Sequence, residues 1–358
     1  MFETLRPDPT FYPSARLAMQ APPERLGYTA LLSPDASRPD ALAVVDLDPT
    51  SKTYGTVLYR LDMPNRGDEF HHFGWNACSS ALSPMSGHAF LQRRYLIIPG
   101  IRSSRIYVVD TRPDPARPTI VKIIEPDEVL RKTGYSRPHT IHCGPEGIYI
   151  STLGGGGADG TQGPPGVFIM DCESFEIRGQ WEIDRGPQKL HYDFWWNLPR
   201  DYMVSSEWGL PPQFENGIVA EDLLANKYGH SIHFWDLRGR KHLQTIDLGA
   251  NHQMALEIRP AHDPTREYGF LRRRRHDQPR RLDLDLVPRG RPVPCEEDRG
   301  DPARAGRCIG AAGVAEGFRR GAAADQRHRP VARRPLSVCR VLGHRRAEAI
   351  RRERPDAA

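Results

Sequence analysis

The feature that most constrains the fold is a short β-rich run, closing on aspartate, that recurs along the chain. ALAVVD ends at Asp46, SRIYVVD at Asp110, GVFIMD at Asp171 and HSIHFWD at Asp236, at intervals of 64, 61 and 65 residues. After each comes a turn segment and a second β-rich run: TVLYRLDM, TIVKIIEP, EIRGQWEI and LQTIDLGA. RYLIIPG, GIYISTL and DYMVSSEW precede three of them. Self-similarity at a fixed period marks a repeat architecture. Three or four short strands per period fit a propeller blade. An irregular β-sandwich also alternates short strands with turns, but the fixed period favours the propeller. The aspartates read as turn caps that accept backbone N–H groups, with no catalytic role. The periods occupy roughly residues 40–270. Since propellers close with about four to eight blades, this stretch is part of a ring or a small four-bladed one.

Composition divides the chain. Of 358 residues, 1–270 carry 27 Lys+Arg against 33 Asp+Glu, whereas 271–358 carry 23 Arg, no Lys and 12 Asp+Glu. Every Trp and Tyr lies before residue 271, and Phe318 is the sole aromatic after it. Residues 271–358 lack the means to bury a core. The expected organisation is an extended, Pro-rich lead-in over 1–40, a partial β-propeller over 41–270, and a disordered Arg-rich tail over 271–358.

Several classes are excluded. The six cysteines form no CxxC pair and no dense framework, so a disulfide scaffold is not expected. No N-terminal stretch combines a basic end, an apolar run and a cleavage site, and no apolar run nears the ~20 residues of a membrane span. The expectation is a soluble, cytoplasmic protein without a membrane partner. A nucleic-acid arm would carry Lys as well as Arg with one clean charge sign. The tail has neither, so no nucleic-acid partner is expected.

Two motifs carry candidate chemistry: HHFGWNACSS over 71–80 and PHTIHC over 138–143. Imidazole and thiolate are the ligand types that select copper, zinc and iron. His71 and His72 are adjacent, so on a regular strand they face opposite ways, and only a loop or bulge lets both bind one ion. His139 and His142 are three apart after a proline that favours extended or turn backbone. The competing readings are one ligand and one hydrogen-bonded structural histidine for His71 and His72, and a pair of satisfied turn histidines for His139 and His142. Cys78 and Cys143 are candidate nucleophiles if nearby positive charge or a metal lowers their pKa; otherwise each is a small buried hydrophobe. His233 alternates with Ile232 and Phe234 and reads as structural.

The chain resembles the selenium-binding protein family, whose members include methanethiol oxidases. RLDMPNRGDEFHHFGWNACSS (60–80), SSRIYVVD, PHTIHC, HYDFWWNLPRDYMVSSEWG (191–209), YGHSIHFWDL and ALEIRPAHDPTREYGF (255–270) carry the resemblance. It implies a seven-bladed β-propeller, here incomplete with about four blades. It implies a copper-dependent enzyme that turns methanethiol, dioxygen and water into formaldehyde, hydrogen sulfide and hydrogen peroxide. It also implies His71, His72, His139 and His142 as ligands, with a further histidine in a blade this chain lacks. Asp68 or Glu69 could orient them. Family members that bind selenium use a cysteine where this chain has Gly55, which leaves covalent selenium binding in doubt. The resemblance also bears on the tail. GHRRAEAIRRERPD (343–356) back-translates so that the neighbouring frame reads GTGELKRYDVSDP, close to a family stretch. The expectation is therefore a frameshift near Phe270 and an impaired enzyme. The alternative function is a non-enzymatic propeller that binds selenium or protein partners. The sequence leaves the oligomeric state open.

Overall fold

The structure is a computed structural model that describes residues 8–10, 12, 15–77, 90–112, 114–155, 163–260, 268–273 and 283–285. The described strands form five antiparallel sheets, each a meander in chain order. The first contains β1 (Leu26–Leu31), β2 (Ala41–Asp46) and β3 (Val57–Asp62). The second contains β4 (Gly74–Trp75), β5 (Tyr95–Pro99), β6 (Ile106–Asp110) and β7 (Thr119–Ile124). The third contains β8 (Pro138–Gly144), β9 (Gly147–Thr152), β10 (Gly166–Met170) and β11 (Ile177–Gln180). The fourth contains β12 (Phe194–Asn197), β13 (Tyr202–Ser206), β14 (Ser231–Asp236) and β15 (Lys241–Asp247). The fifth contains β16 (Ala255–Pro260), β17 (Tyr268–Arg273) and β18 (Asp283–Asp285). Among the described residues the α-helices are short: α1 (Ala15–Met19), α2 (Pro126–Thr133) and α3 (Ala220–Leu224).

Alternation along the strands shows how the sheets stack. Ile97, Ile106 and Val108 share an apolar layer with Ile141, Ile148, Ile150 and Phe168 of the third sheet. Their neighbours Leu96, Ile98, Tyr107 and Val109 share one with Leu42 and Met63 of the first. The third sheet reaches the fourth through Tyr149, Val167, Trp181, Phe194, Trp196 and Trp235. The fourth reaches the fifth through Tyr202, Val204, Ile232, Ala255, Ile258 and Leu271. A strand whose successive side chains enter two different layers must be apolar on both faces. Accordingly β6, β9, β10 and β13 are buried throughout, whereas β15 alternates half-buried with exposed. Meander sheets stacked face to face in this way make an all-β, propeller-like architecture.

The Asp-closed runs are β2, β6, β10 and β14, and their aspartates cap turns. Asp46 Oδ1 accepts the Asp48 N–H at 2.9 Å and Asp110 Oδ1 that of Arg112 at 2.8 Å. Asp171 Oδ1 accepts from Glu173 and Ser174 at 2.9 Å each, and Asp236 Oδ1 from Gly239 at 2.6 Å. Two elements lie outside this signature. Within the segment read as a lead-in, β1 pairs with β2 along its whole length, from Leu26↔Asp46 to Leu31↔Ala41. The fifth sheet lies outside the series of runs that ends at Asp236 and continues past residue 270. Among the described residues, no helix is long and apolar enough to cross a membrane.

Candidate metal centre

The first histidine motif runs into β4 of the second sheet, the second lies in β8 of the third, and the pairing of both is irregular. Phe70 bridges Gly100 and Gly74 pairs with Ile97, so residues 71–73 lie opposite only two residues. Pro138 pairs with Thr152 and Ile141 with Ile150, so residues 139–140 lie opposite only one. One extra residue bends a strand and re-aims its side chains. In both cases a residue with positive φ precedes the histidine by two: Glu69 at 54° before His71, and Arg137 at 59° before His139. Non-glycine residues in this region are strained and tend to cluster at functional sites. Ion pairs hold them, with Arg102 pairing Glu69 and Arg137 Nε lying 2.7 Å from Glu215 Oε1. Arg102 also donates to the Glu215 carbonyl, so one clamp spans both motifs.

The result is a three-histidine cluster. The ligand atoms of His71, His72 and His139 lie within 4.8 Å of one another. Ring centroids are 4.9 Å apart for His71–His72, 4.9 Å for His71–His139 and 4.3 Å for His72–His139. His71 is exposed, His72 half-buried and His139 fully buried. Burial, then the neighbouring His72 and His71, push the His139 pKa well below its ordinary value, which keeps the ring neutral. His139 Nδ1 lies 3.2 Å from the Tyr192 carbonyl oxygen, while Nε2 is buried with no hydrogen-bond partner among the described residues. A neutral imidazole with one nitrogen oriented and the other unpartnered has the state that binding a metal ion requires.

The remaining sequence candidates lie elsewhere. His142 turns to the fourth sheet, its ring 4.2 Å from Trp195 and its Nε2 3.9 Å from Asp193 Oδ1, outside the three-histidine group. Asp193 is fully buried and accepts from Arg259 Nη1 at 2.7 Å and the Ile258 N–H at 3.0 Å. Burial pushes its carboxyl up, but His142 and the Arg259 charge overcome that and hold it well below the usual carboxylate range. Cys143 faces the apolar layer between the second and third sheets, 2% exposed, where its hydrogen bond and burial raise the Cys172 thiol pKa. Cys78 lies outside the described residues. Asp68 binds Arg105 at 2.8 Å and the Tyr107 hydroxyl at 2.7 Å, and Glu69 binds Arg102. Gly55, at φ 76°, sits in the exposed turn between β2 and β3. His233 is held by Glu207 Oε1 at 2.9 Å and His242 at 3.1 Å, as a structural histidine.

Tyr192 was missed from sequence. Its ring is 4.3 Å from His139 and 5.9 Å from His72, and on its far side 5.1 Å from Trp208. Trp208 stacks on Phe214 at 4.0 Å, and with Ile101, Leu153 and Leu256 they make an apolar wall beside the cluster. The available signal was aromatic density in HYDFWW, which carries no information about which sheet it faces.

Fold and site thus define a propeller-like all-β protein with a cluster of three histidines that could hold a metal ion; imidazole is a donor that suits zinc, copper, iron and nickel. The family model described as 56 kDa selenium-binding protein matches residues 5–274, and the chain belongs to that family. The match ends close to the compositional change at Leu271. A methanethiol oxidase of Xenopus laevis is 43% identical over 263 residues, which is 73% of this chain and 54% of that protein. Selenium-binding protein 3 of Arabidopsis thaliana is 39% identical over 262 residues, 72% of this chain and 53% of its own. The chain spans about half the length of the curated relatives it matches. A crystal structure of a hypothetical selenium-binding protein from Sulfolobus tokodaii is 54% identical with a TM-score of 0.69, covering 74% of this chain and 57% of that one.

Proposed function

We propose that this chain is the matched half of a copper-dependent methanethiol oxidase, an oxidoreductase acting on sulfur. The reaction converts methanethiol, dioxygen and water to formaldehyde, hydrogen sulfide and hydrogen peroxide. The observation that carries the reading is the convergence of His71, His72 and His139 ligand atoms within 4.8 Å. The relatives named methanethiol oxidase support it. Copper bound there would supply a soft Lewis acid for thiolate sulfur and a one-electron couple toward dioxygen. The protein's own part is positional. His139 stays neutral through burial and offers Nε2, and Tyr192, Trp208 and Phe214 give an apolar surface suited to a methyl group. His71 is the solvent-facing member and marks the side from which a small thiol and dioxygen enter.

The same reading places a frameshift near Phe270, which DNA across residues 265–275 tests directly. It also makes turnover by this chain weak. The functional test is sulfide and peroxide release when methanethiol is added to copper-loaded protein. It is run on this chain and on a version with the reading frame shifted at that junction. We expect both products from the second and little of either from the first. Absence of both from the frame-shifted, copper-loaded protein would favour the non-enzymatic alternative.

A further inference from the structure

The bulge that re-aims His139 removes the Thr140 N–H from the ladder, and the Ser151 hydroxyl of β9 accepts it instead, at 2.9 Å. The same hydroxyl donates to the Tyr192 carbonyl oxygen at 3.0 Å. That oxygen lies 3.2 Å from His139 Nδ1. A carbonyl oxygen only accepts, so a favourable contact there requires the proton on Nδ1. The Thr140 hydroxyl agrees with this. It lies 3.0 Å from Nδ1 and 3.5 Å from the Tyr192 oxygen, so it accepts from the ring and gives its own proton to the carbonyl. Thr140 and Ser151 are both buried. The assignment leaves the His139 lone pair on Nε2, the atom without a partner among the described residues.

The fourth sheet repeats the device without the chemistry. Ser206 accepts the Asp193 N–H at 3.2 Å and donates to the carbonyl of Leu256 in the fifth sheet. There the serine ties one sheet to the next. In the third sheet the same tie carries a histidine.

We propose that Ser151 and Thr140 are positioning residues of the metal centre. Acting through the Tyr192 carbonyl, they hold His139 as the Nδ1–H tautomer with Nε2 presented beside His71 and His72. The proposal rests on the copper reading of the cluster. Partners of this kind fix ring orientation and typically change metal affinity by roughly 10- to 100-fold when removed.

The experiment is copper affinity of the full chain, measured by competition with a chromophoric chelator, with melting temperature recorded alongside. Ser151→Ala and Thr140→Val are each expected to weaken copper binding by roughly 10- to 100-fold, and Ser151→Thr, which restores a hydroxyl, to recover it. If Ser151→Ala does not fold, Thr140→Val decides, since its shape is kept and only the hydroxyl is lost. Wild-type affinity in Ser151→Ala and Thr140→Val, alongside weakened binding in His139→Ala, would overturn the positioning role alone, whatever happens to the melting temperature. Wild-type affinity in His139→Ala would overturn the copper reading itself, and the proposal with it.

Discussion

A Cβ on Gly74 would lie 2.7 Å from the carbonyl oxygen of Ile141. Strand β4 of the second sheet lies against β8 of the third, and the missing side chain is what permits that approach. It brings the His72 and His139 rings to 4.3 Å. The obstruction is backbone, which cannot rotate away, so Gly74→Ala must part the two strands. We expect a loss of about 1–3 kcal/mol in urea unfolding together with weakened copper binding. A stable variant with unchanged copper affinity would show that the two motifs do not depend on this contact.

Asp193 ties the start of β12 to β16 through Arg259 and the Ile258 N–H. Removing one partner of a buried pair strands the other charge. Arg259→Ala is expected to cost roughly 3 kcal/mol, the low end for such changes because the guanidinium is partly exposed. Urea unfolding measures it, and a change under about 0.5 kcal/mol, the range of ordinary surface substitutions, would contradict it.

The legible parts of this fold and site were those whose signal is local. A turn cap needs an acceptor at one position, so Asp46, Asp110, Asp171 and Asp236 announced four sheets. The two histidine motifs were also local signals, and three of their four histidines converge in the fold. The fifth sheet has its later strands beyond the compositional change at Leu271, and β1 lies in a stretch without a clear strand pattern. The bulges were not legible because Glu69 and Arg137 adopt positive φ without being glycine. Tyr192, Asp193 and Ser151 act across sheet boundaries, on neighbours far away in sequence. His142 and Cys143 are adjacent and so face opposite ways, one toward Trp195 and the other into apolar packing, a choice that register alone makes.

His191 is fully buried, and burial, then the nearby His233, lower its pKa to about 3. The unfolded chain protonates it near its ordinary value while the folded chain does not. Stability is therefore unaffected above about pH 6.5 and falls as pH drops, by roughly 1.4 kcal/mol per unit. His191→Gln is expected to lose less stability than wild type between pH 7 and pH 5 in urea unfolding. Parallel pH profiles would contradict this.

Glu182 titrates with the opposite sign. Burial raises its pKa to about 7, although it accepts the Val167 N–H at 2.6 Å and the Tyr135 hydroxyl at 3.0 Å. The folded state keeps a proton that the unfolded state releases above its ordinary value, so stability declines as pH rises from about 4.5 to 7. Glu182→Gln keeps the shape without the charge and is expected to flatten that decline in melting temperature. An unchanged slope would show that the carboxyl is ionised in the folded protein.

One measurement bears most directly on the three-histidine centre: copper titration of the full chain with His71→Ala, His72→Ala and His139→Ala, and with His230→Ala as a control outside the cluster. The expected result is one tight copper site per chain, weakened strongly by each of the first three substitutions and untouched by the fourth. Equal copper binding in all four variants and wild type would contradict a shared centre at His71, His72 and His139.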